Sequence, residues 1–209
     1  MQIKTIVVGP IETNCYILSD PQSKEAVIID AGDDADEILY YVAQQGLTVK
    51  YLLNTHGHYD HTQANDEIRE KTGAPLAIHS DDTDILMVPE KVSSRLFIKA
   101  NGCKAPDILL HNNDIISFGS YQLKVIYTPG HTKGGCCFYE ASEKVCFTGD
   151  TLFRNEVGRT DLYGGNYPAL INSIRVRLEK LPDDVVVYPG HGEESTMGWE
   201  RKHNRYMKG

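Results

Sequence analysis

A chain of 209 residues with 41% hydrophobic and 24% charged side chains has an ordinary globular balance, enough for one sizeable core and too short for several independent ones. Its formal net charge of −8 repels a phosphate backbone, so nucleic acid is not an expected partner. Five cysteines, an odd number that includes the adjacent Cys136 and Cys137, do not read as a disulfide framework and fit a reducing compartment. Residues 1–8 suit a strand and are too short for a secretory signal, and no apolar run approaches the roughly eighteen residues of a membrane span. The expectation is a soluble, cytoplasmic chain with no membrane partner, forming a single domain over residues 1–209.

Short apolar and β-branched runs bounded by Gly, Pro, Asn and Asp predict strands at 3–8, 15–18 and 26–29. Gly32-Asp33-Asp34 reads as a turn and cap for a helix over 36–45, where Ile38, Leu39 and Val42 share one face and Gly46 is the stop. A buried strand at 51–53 leads straight into a histidine-rich run. A helix over 62–71, closed by Thr72-Gly73, and a strand at 74–78 follow. Residues 80–114 are the least legible, carrying a helix over 81–87, a loop through Asn101-Gly102 and no metal-type spacing. Beyond them, a strand over 121–127 runs into Pro129-Gly130-His131, and a strand over 145–148 ends in Gly149-Asp150. A helix over 169–181, with Pro168 near its start and Pro182 past its end, precedes a strand at 185–188 that runs into Pro189-Gly190-His191. A short helix over 199–206 closes the chain. Strands in clusters, with helices between clusters and not after every strand, predict two packed sheets with helices outside.

Five of the eight histidines fall at predicted strand ends, where a rigid sheet presents side chains to a shared cleft. In the run His56-Gly57-His58-Tyr59-Asp60-His61, residues two apart in extended chain point the same way, so His56 and His58 can grip one cation. A helical bend near Asp60 would turn Asp60 and His61 toward a second. His131 and His191 repeat one device, an apolar strand followed by Pro-Gly-His, and each would complete one of the two sites. Asp150, in Thr148-Gly149-Asp150-Thr151, is the natural carboxylate to sit between them. Imidazole and carboxylate donors without thiolate suit zinc best, with iron or manganese as alternatives, and the cysteines lack the C-x-x-C spacing of a structural zinc knot.

These motifs, in this order, resemble the metallo-β-lactamase superfamily. Thr148-Gly149-Asp150-Thr151-Leu152-Phe153, Gly158-Arg159-Thr160-Asp161 and Pro189-Gly190-His191-Gly192 are more specifically similar to its glyoxalase II branch, in the short bacterial form. The resemblance covers nearly the whole chain. It implies an αββα sandwich of two packed mixed β-sheets with a binuclear site at one edge. It implies one metal on His56, His58 and His131, another on Asp60, His61 and His191, and Asp150 bridging them. It also implies hydrolysis of S-lactoylglutathione or a similar hydroxyacyl thioester by a hydroxide shared between two divalent cations, with Asp60 able to relay a proton. The longer members bind glutathione with basic residues on a C-terminal helical segment, whereas this chain ends 18 residues after His191 (209 − 191). Arg154 and Arg159 near the site, and Arg201, Lys202 and Arg205 in the tail, are the candidates to touch substrate in its place.

Other readings of the same residues make distinct expectations. A persulfide dioxygenase would use a single iron and leave Asp60, His61 and His191 without a metal. A lactonase would share every ligand. A β-lactamase is disfavoured by the missing thiolate ligand and secretion signal. His79 reads as a hydrogen-bonded structural residue, His111 and His203 as surface residues, and Cys15 and Cys146 as core.

Overall fold

The structure is a computed structural model that describes residues 1–89, 91 and 100–208. The first sheet has the order β1 (Gln2–Val8), β2 (Thr13–Ser19), β3 (Glu25–Ile29), β4 (Thr48–Leu53), β5 (Leu76–His79) and β6 (Ile108–Leu110). β1, β2 and β3 pair antiparallel; β3 to β6 pair parallel. The second sheet uses β7 (Ile115–Phe118), β8 (Tyr121–Tyr127), β9 (Cys136–Glu140), β10 (Val145–Gly149), β13 (Val186–Pro189) and β14 (Ser195–Thr196), in the spatial order β14-β13-β10-β9-β8-β7. A two-stranded ribbon, β11 (Leu152–Phe153) with β12 (Glu156–Val157), lies beside it. Both main sheets are mixed, as the family resemblance implies.

Alternation of side chains across each strand makes the layers. In β2, Tyr16 and Leu18 join the core between the sheets, with Phe118, Phe138 and Phe147 of the second sheet. Cys15 and Ile17, one step out of phase, join the outer core with Ile38 and Val42 of helix α1 (Ala35–Gln45) and Ile68 of α2 (Asn65–Thr72). The second sheet repeats this. Val145 and Phe147 point inward, while Cys146 and Val187 meet Leu170 and Ile174 of α4 (Tyr167–Arg177). Helix α3 (Thr83–Met87) follows β5, and α5 (Met197–His203) follows β14. The result is the αββα sandwich. Among the described residues, no helix is long and apolar enough to cross a membrane.

Several local expectations need correction. The cap foreseen from Asp33-Asp34 does not form. Asp34 has a left-handed backbone (φ 52°) without a side-chain cap bond, and its carboxylate accepts from Gly9 N at 2.8 Å. The helix expected over 62–71 begins only at Asn65, because Thr62 Oγ1 bonds back to the carbonyls of His58 and Tyr59. The helix expected over 169–181 starts two residues earlier, at Tyr167, and passes into a 3-10 turn at Leu178–Lys180. Strands β6, β7, β9, β11, β12 and β14 were not foreseen. Most are two to four residues long, too short to show alternation, and β9 is almost wholly buried and so shows none.

Strand direction places the chemistry. β3 and β4 are parallel, so Asp30 and residues 54–61 emerge at one edge of the first sheet. β10 and β13 are parallel, and β8 runs antiparallel to β9, which is antiparallel to β10. β8, β10 and β13 therefore deliver His131, Asp150 and His191 to one edge of the second sheet. The two edges are stitched together there: Tyr16 OH donates to Pro189 O at 2.6 Å, Asn14 N to Gly190 O at 2.8 Å and Cys136 N to Thr55 O at 2.8 Å.

Candidate metal centre

The edge gathers all seven residues singled out from the sequence. His56, His58 and His131 form one group of converging donor atoms, Asp60, His61 and His191 a second, and His56, His61 and Asp150 a third, with the donor atoms of each group within 4.8 Å of one another. His58 Nδ1 faces His131 Nε2 at 3.0 Å, and His61 Nε2 faces His191 Nε2 at 3.3 Å. The bend that separates the groups is a 3-10 turn at Tyr59–His61. Asp150 lies between them. Its Oδ2 is 3.5 Å from His131 Nε2, and its Oδ1 is 3.4 Å from His61 Nε2 and 3.7 Å from His191 Nε2. Gly190 is required beside it, since a Cβ there would stand 2.2 Å from Asp150 Oδ1 and 2.8 Å from His61 Cε1.

Hydrogen bonds on the far side of each ring settle which nitrogen faces the cleft. Thr55 Oγ1 donates to Asp30 Oδ2 at 2.7 Å, and His56 Nδ1 donates to Thr55 Oγ1 at 3.0 Å. His61 Nδ1 donates to Asp30 Oδ2 at 3.0 Å, and His131 Nδ1 to Arg159 O at 2.7 Å. His191 Nδ1 faces the carbonyls of Ile11 and Glu12 at 3.2 and 3.3 Å. In these four rings Nδ1 carries the hydrogen, so each Nε2 presents a lone pair to the cleft. His56 Nε2 and Asp150 Oδ1 are buried without any hydrogen-bond partner. Buried acceptors with no donor are costly unless something positive joins them, and these donors fit cations.

Electrostatics separates the groups further. Burial, reinforced by His61 and His58, holds His56 far below the ordinary histidine range, and burial with His131 pushes His58 down to about 3. Burial opposes the charged form of His61 too, but Asp60, Asp150 and Asp30 outweigh it and raise its pKa. His191 is raised against its own burial by the hydrogen bond it can donate to Asp60 and by the charge of Asp150. Asp60 and Asp150 pay a burial penalty of their own, yet the neighbouring histidines, His61 first, hold both below the usual carboxylate range.

A cleft of about 200 Å³ opens over the donors, with Ile11, Tyr59 and Leu162 as apolar walls and Arg159 at its side. Arg159 also braces His131 through its carbonyl, while its guanidinium makes a two-pronged ion pair with Asp161 at 2.8 Å. Arg154 does not line the cleft. It pairs with Glu193 at 2.9 Å and lies 5.5 Å from the centre of the Trp199 ring, in a separate groove. His79 stacks on Tyr127 at 4.2 Å and is structural; Cys15 and Cys146 are buried.

Sequence reading missed three supporting residues. Asp30 closes the run Ala26-Val27-Ile28-Ile29, is 1% exposed, holds φ at 56° and accepts from Thr55 N as well as Thr55 Oγ1 and His61. A carboxylate ending a buried strand and followed by Ala-Gly was the available signal. Thr55 had none beyond its place beside His56. Asp82 lay in the illegible segment.

An αββα sandwich with imidazole and carboxylate donors converging at one sheet edge defines a metal-binding scaffold. The chain belongs to the metallo-beta-lactamase superfamily, whose signature matches residues 8–191. It is 33% identical to a hydroxyacylglutathione hydrolase, GloC, of Haemophilus influenzae, over 99% of this chain and 98% of that one. Among solved structures it is similar to BLEG-1, described as a B3 metallo-beta-lactamase, with a TM-score of 0.94 and 37% identity over 100% of both chains. It is also similar to ETHE1 of Myxococcus xanthus, with a TM-score of 0.82 and 28% identity over 98% of this chain and 84% of that one. The family and the relatives' names indicate a metal-dependent hydrolase.

Proposed function

We propose that this protein hydrolyses a hydroxyacyl thioester, S-lactoylglutathione or a close analogue, at a site loaded with two divalent cations, zinc in the first instance. The observation that carries the two-cation reading is the division of Asp150, one oxygen toward each donor group. His56 Nε2, His58 Nδ1 and His131 Nε2 would hold one cation, and Asp60, His61 and His191 the other. When bound, such a pair would supply a water acidified to about 7 and a Lewis acid for the carbonyl oxygen.

The chain's own residues supply the rest. The bonds from Thr55, Asp30 and the carbonyls of Arg159, Ile11 and Glu12 keep the imidazoles aimed, so no reorganisation is needed during reaction. Ile11, Tyr59 and Leu162 exclude water from one side of the cleft, and Arg159 is placed to meet an anionic part of the substrate. A thiolate leaves with little protonation, since its conjugate acid has a pKa of about 8.5. That suits a cleft whose carboxylates, Asp60 and Asp150, are both donors. Asp60 is 16% exposed and can pass a proton outward.

Convergence of Asp60, His61 and His191 favours this reading over a dioxygenase with one iron, which would leave those three idle. Metal analysis and an assay of S-lactoylglutathione hydrolysis on one sample test it. Two cations per chain with chelator-sensitive turnover are expected; two cations with negligible turnover discard the substrate, and one iron with oxygen uptake favours the dioxygenase. One second reading has an observation behind it. Full-length likeness to a protein described as a B3 metallo-beta-lactamase makes hydrolysis of a β-lactam amide the competing activity, despite the lack of a cysteine among the donors. A chromogenic cephalosporin assayed beside the thioester separates the two.

A further inference from the structure

One buried carboxylate holds together the two loops that carry the three-histidine group. Asp82 ends the 3-10 turn Ser80–Asp82 after β5 and is 0% exposed. Its Oδ2 accepts from Gly57 N at 3.0 Å and from Thr132 Oγ1 at 2.6 Å, and its Oδ1 accepts from Gly134 N at 2.5 Å. Gly57 lies between His56 and His58, on the loop leaving β4 of the first sheet. Thr132 follows His131, on the loop leaving β8 of the second.

The site is built for this contact. Asp82 stands at the N-cap position of α3 yet makes no cap bond there, so its carboxylate is committed to the loops. A Cβ on Gly134 would come within 2.6 to 2.8 Å of the nitrogen, Cβ and Cγ of Asp82, so only glycine lets the second loop close. Burying an ionised carboxylate is expensive unless every oxygen is bonded, and three donors meet that need here. Among the hydrogen bonds of the described residues, none joins Asp82 to an imidazole, and none joins it to Asp60, His61 or His191; His61 and His191 are held from the other side, by Asp30 and by the Ile11 and Glu12 carbonyls.

We propose that Asp82 is the positioning residue of the three-histidine group: it sets the separation of His56 and His58 from His131, and so governs that group's hold on a cation without touching the other group. This rests on the two-cation reading above. A general structural brace would weaken both groups together, and that difference makes the claim testable.

The test is Asp82→Asn, read in two ways. An amide accepts at one end only, so at least one of the three donors loses its acceptor. In the metal-free protein, the imidazole ¹⁵N signals of His58 and His131 are expected to move while those of His61 and His191 stay. In a zinc titration against a competing chelator, affinity at the three-histidine group is expected to fall about 10- to 100-fold, the usual cost of losing an outer partner, while the other group changes less than about threefold. Equal losses at both groups, or unmoved His58 and His131 signals, overturn the proposal. If Asp82→Asn does not fold, Thr132→Val decides. It removes only the hydroxyl, leaves both backbone bonds to the carboxylate, and should cost the same group about tenfold. A wild-type chain that binds no cation would defeat the two-cation reading, and the imidazole signals would still decide the role of Asp82.

Discussion

The two donor groups sit side by side in one cleft, yet they are built differently. His56, His58 and His131 are 2%, 4% and 3% exposed and have no carboxylate of their own, and burial depresses the pKa of His56 and His58. Asp60 and His191 reach solvent, with side chains 16% and 24% exposed, and carboxylates surround His61 and raise it. The first group is thus a closed, neutral socket held by Asp82 and a carbonyl. The second is an open, charged one held by Asp30. In physical terms the first favours permanence and the second favours exchange with what enters the cleft.

Asp150 is the residue the two groups share, so its loss should erase the contrast and have the largest effect. Asp150→Ala is expected to cut turnover well beyond the roughly 100-fold that outer partners alone command and to lower the metal content at both groups. His131→Ala should cost as much activity while emptying the first group in preference. Metal analysis of the purified variants checks both, and full activity in either metal-depleted protein would remove the binuclear mechanism. Chelation of the intact protein should abolish turnover and lower its melting temperature. A ligand present at about a thousandfold over its dissociation constant contributes roughly 4 kcal/mol to the folded state.

The next effect bears on the open group. Asp30→Asn removes the charge facing His61 Nδ1 and is expected to weaken the second cation about 10- to 100-fold. Thr55 links Asp30 to His56 as well, so a smaller loss at the first group should accompany it. Acid sharpens the same comparison. Protons compete with cations for the ring nitrogens. His58, at about 3, and the still lower-shifted His56 take protons only in strong acid, whereas His61 and His191 are raised and take them near neutrality. Acidification from pH 8 should therefore release the cation of the open group first, as two separated steps in a metal-release titration. In the metal-free protein the sign reverses for these two histidines. Their folded pKa values lie above the ordinary 6.5, so the stability they contribute is present below about 6.5 and is lost as pH rises through the folded values. Chemical denaturation of the metal-free protein at pH 6.5 and pH 8.5 measures that loss.

The donors were legible in the sequence because they obey short-range rules. His56 and His58 are two apart in extended chain, Asp60 and His61 follow a bend, and His131 and His191 repeat one strand-end turn. The two-sheet arrangement was legible from strand clustering, while strands such as β6, β11 and β14, of two or three residues each, have too few residues to show a period. The braces were illegible for a related reason. Asp30 and Thr55 act through bonds that exist only once β3 and β4 lie parallel. Asp82 acts only when two loops from different sheets close on it. Neither relation leaves a spacing in the chain.

The smallest expected effects divide the two arginines that sequence placed together. Arg159 lines the cleft, and its guanidinium, though exposed and paired with Asp161, can turn to an anionic group of the substrate. Arg159→Ala is expected to raise KM by about three- to tenfold with kcat nearly unchanged, the discounted worth of one exposed charge-assisted hydrogen bond. Its carbonyl, which holds His131, survives the substitution, so the metal content should stay level. Arg154 has a different environment. It pairs with Glu193 and covers Trp199 outside the cleft, and an exposed ion pair is worth little. Arg154→Ala should leave kcat and KM within about twofold of the wild type in a steady-state assay. A rise in KM as large as that of Arg159→Ala would place the thiol half of the substrate along the Trp199 groove.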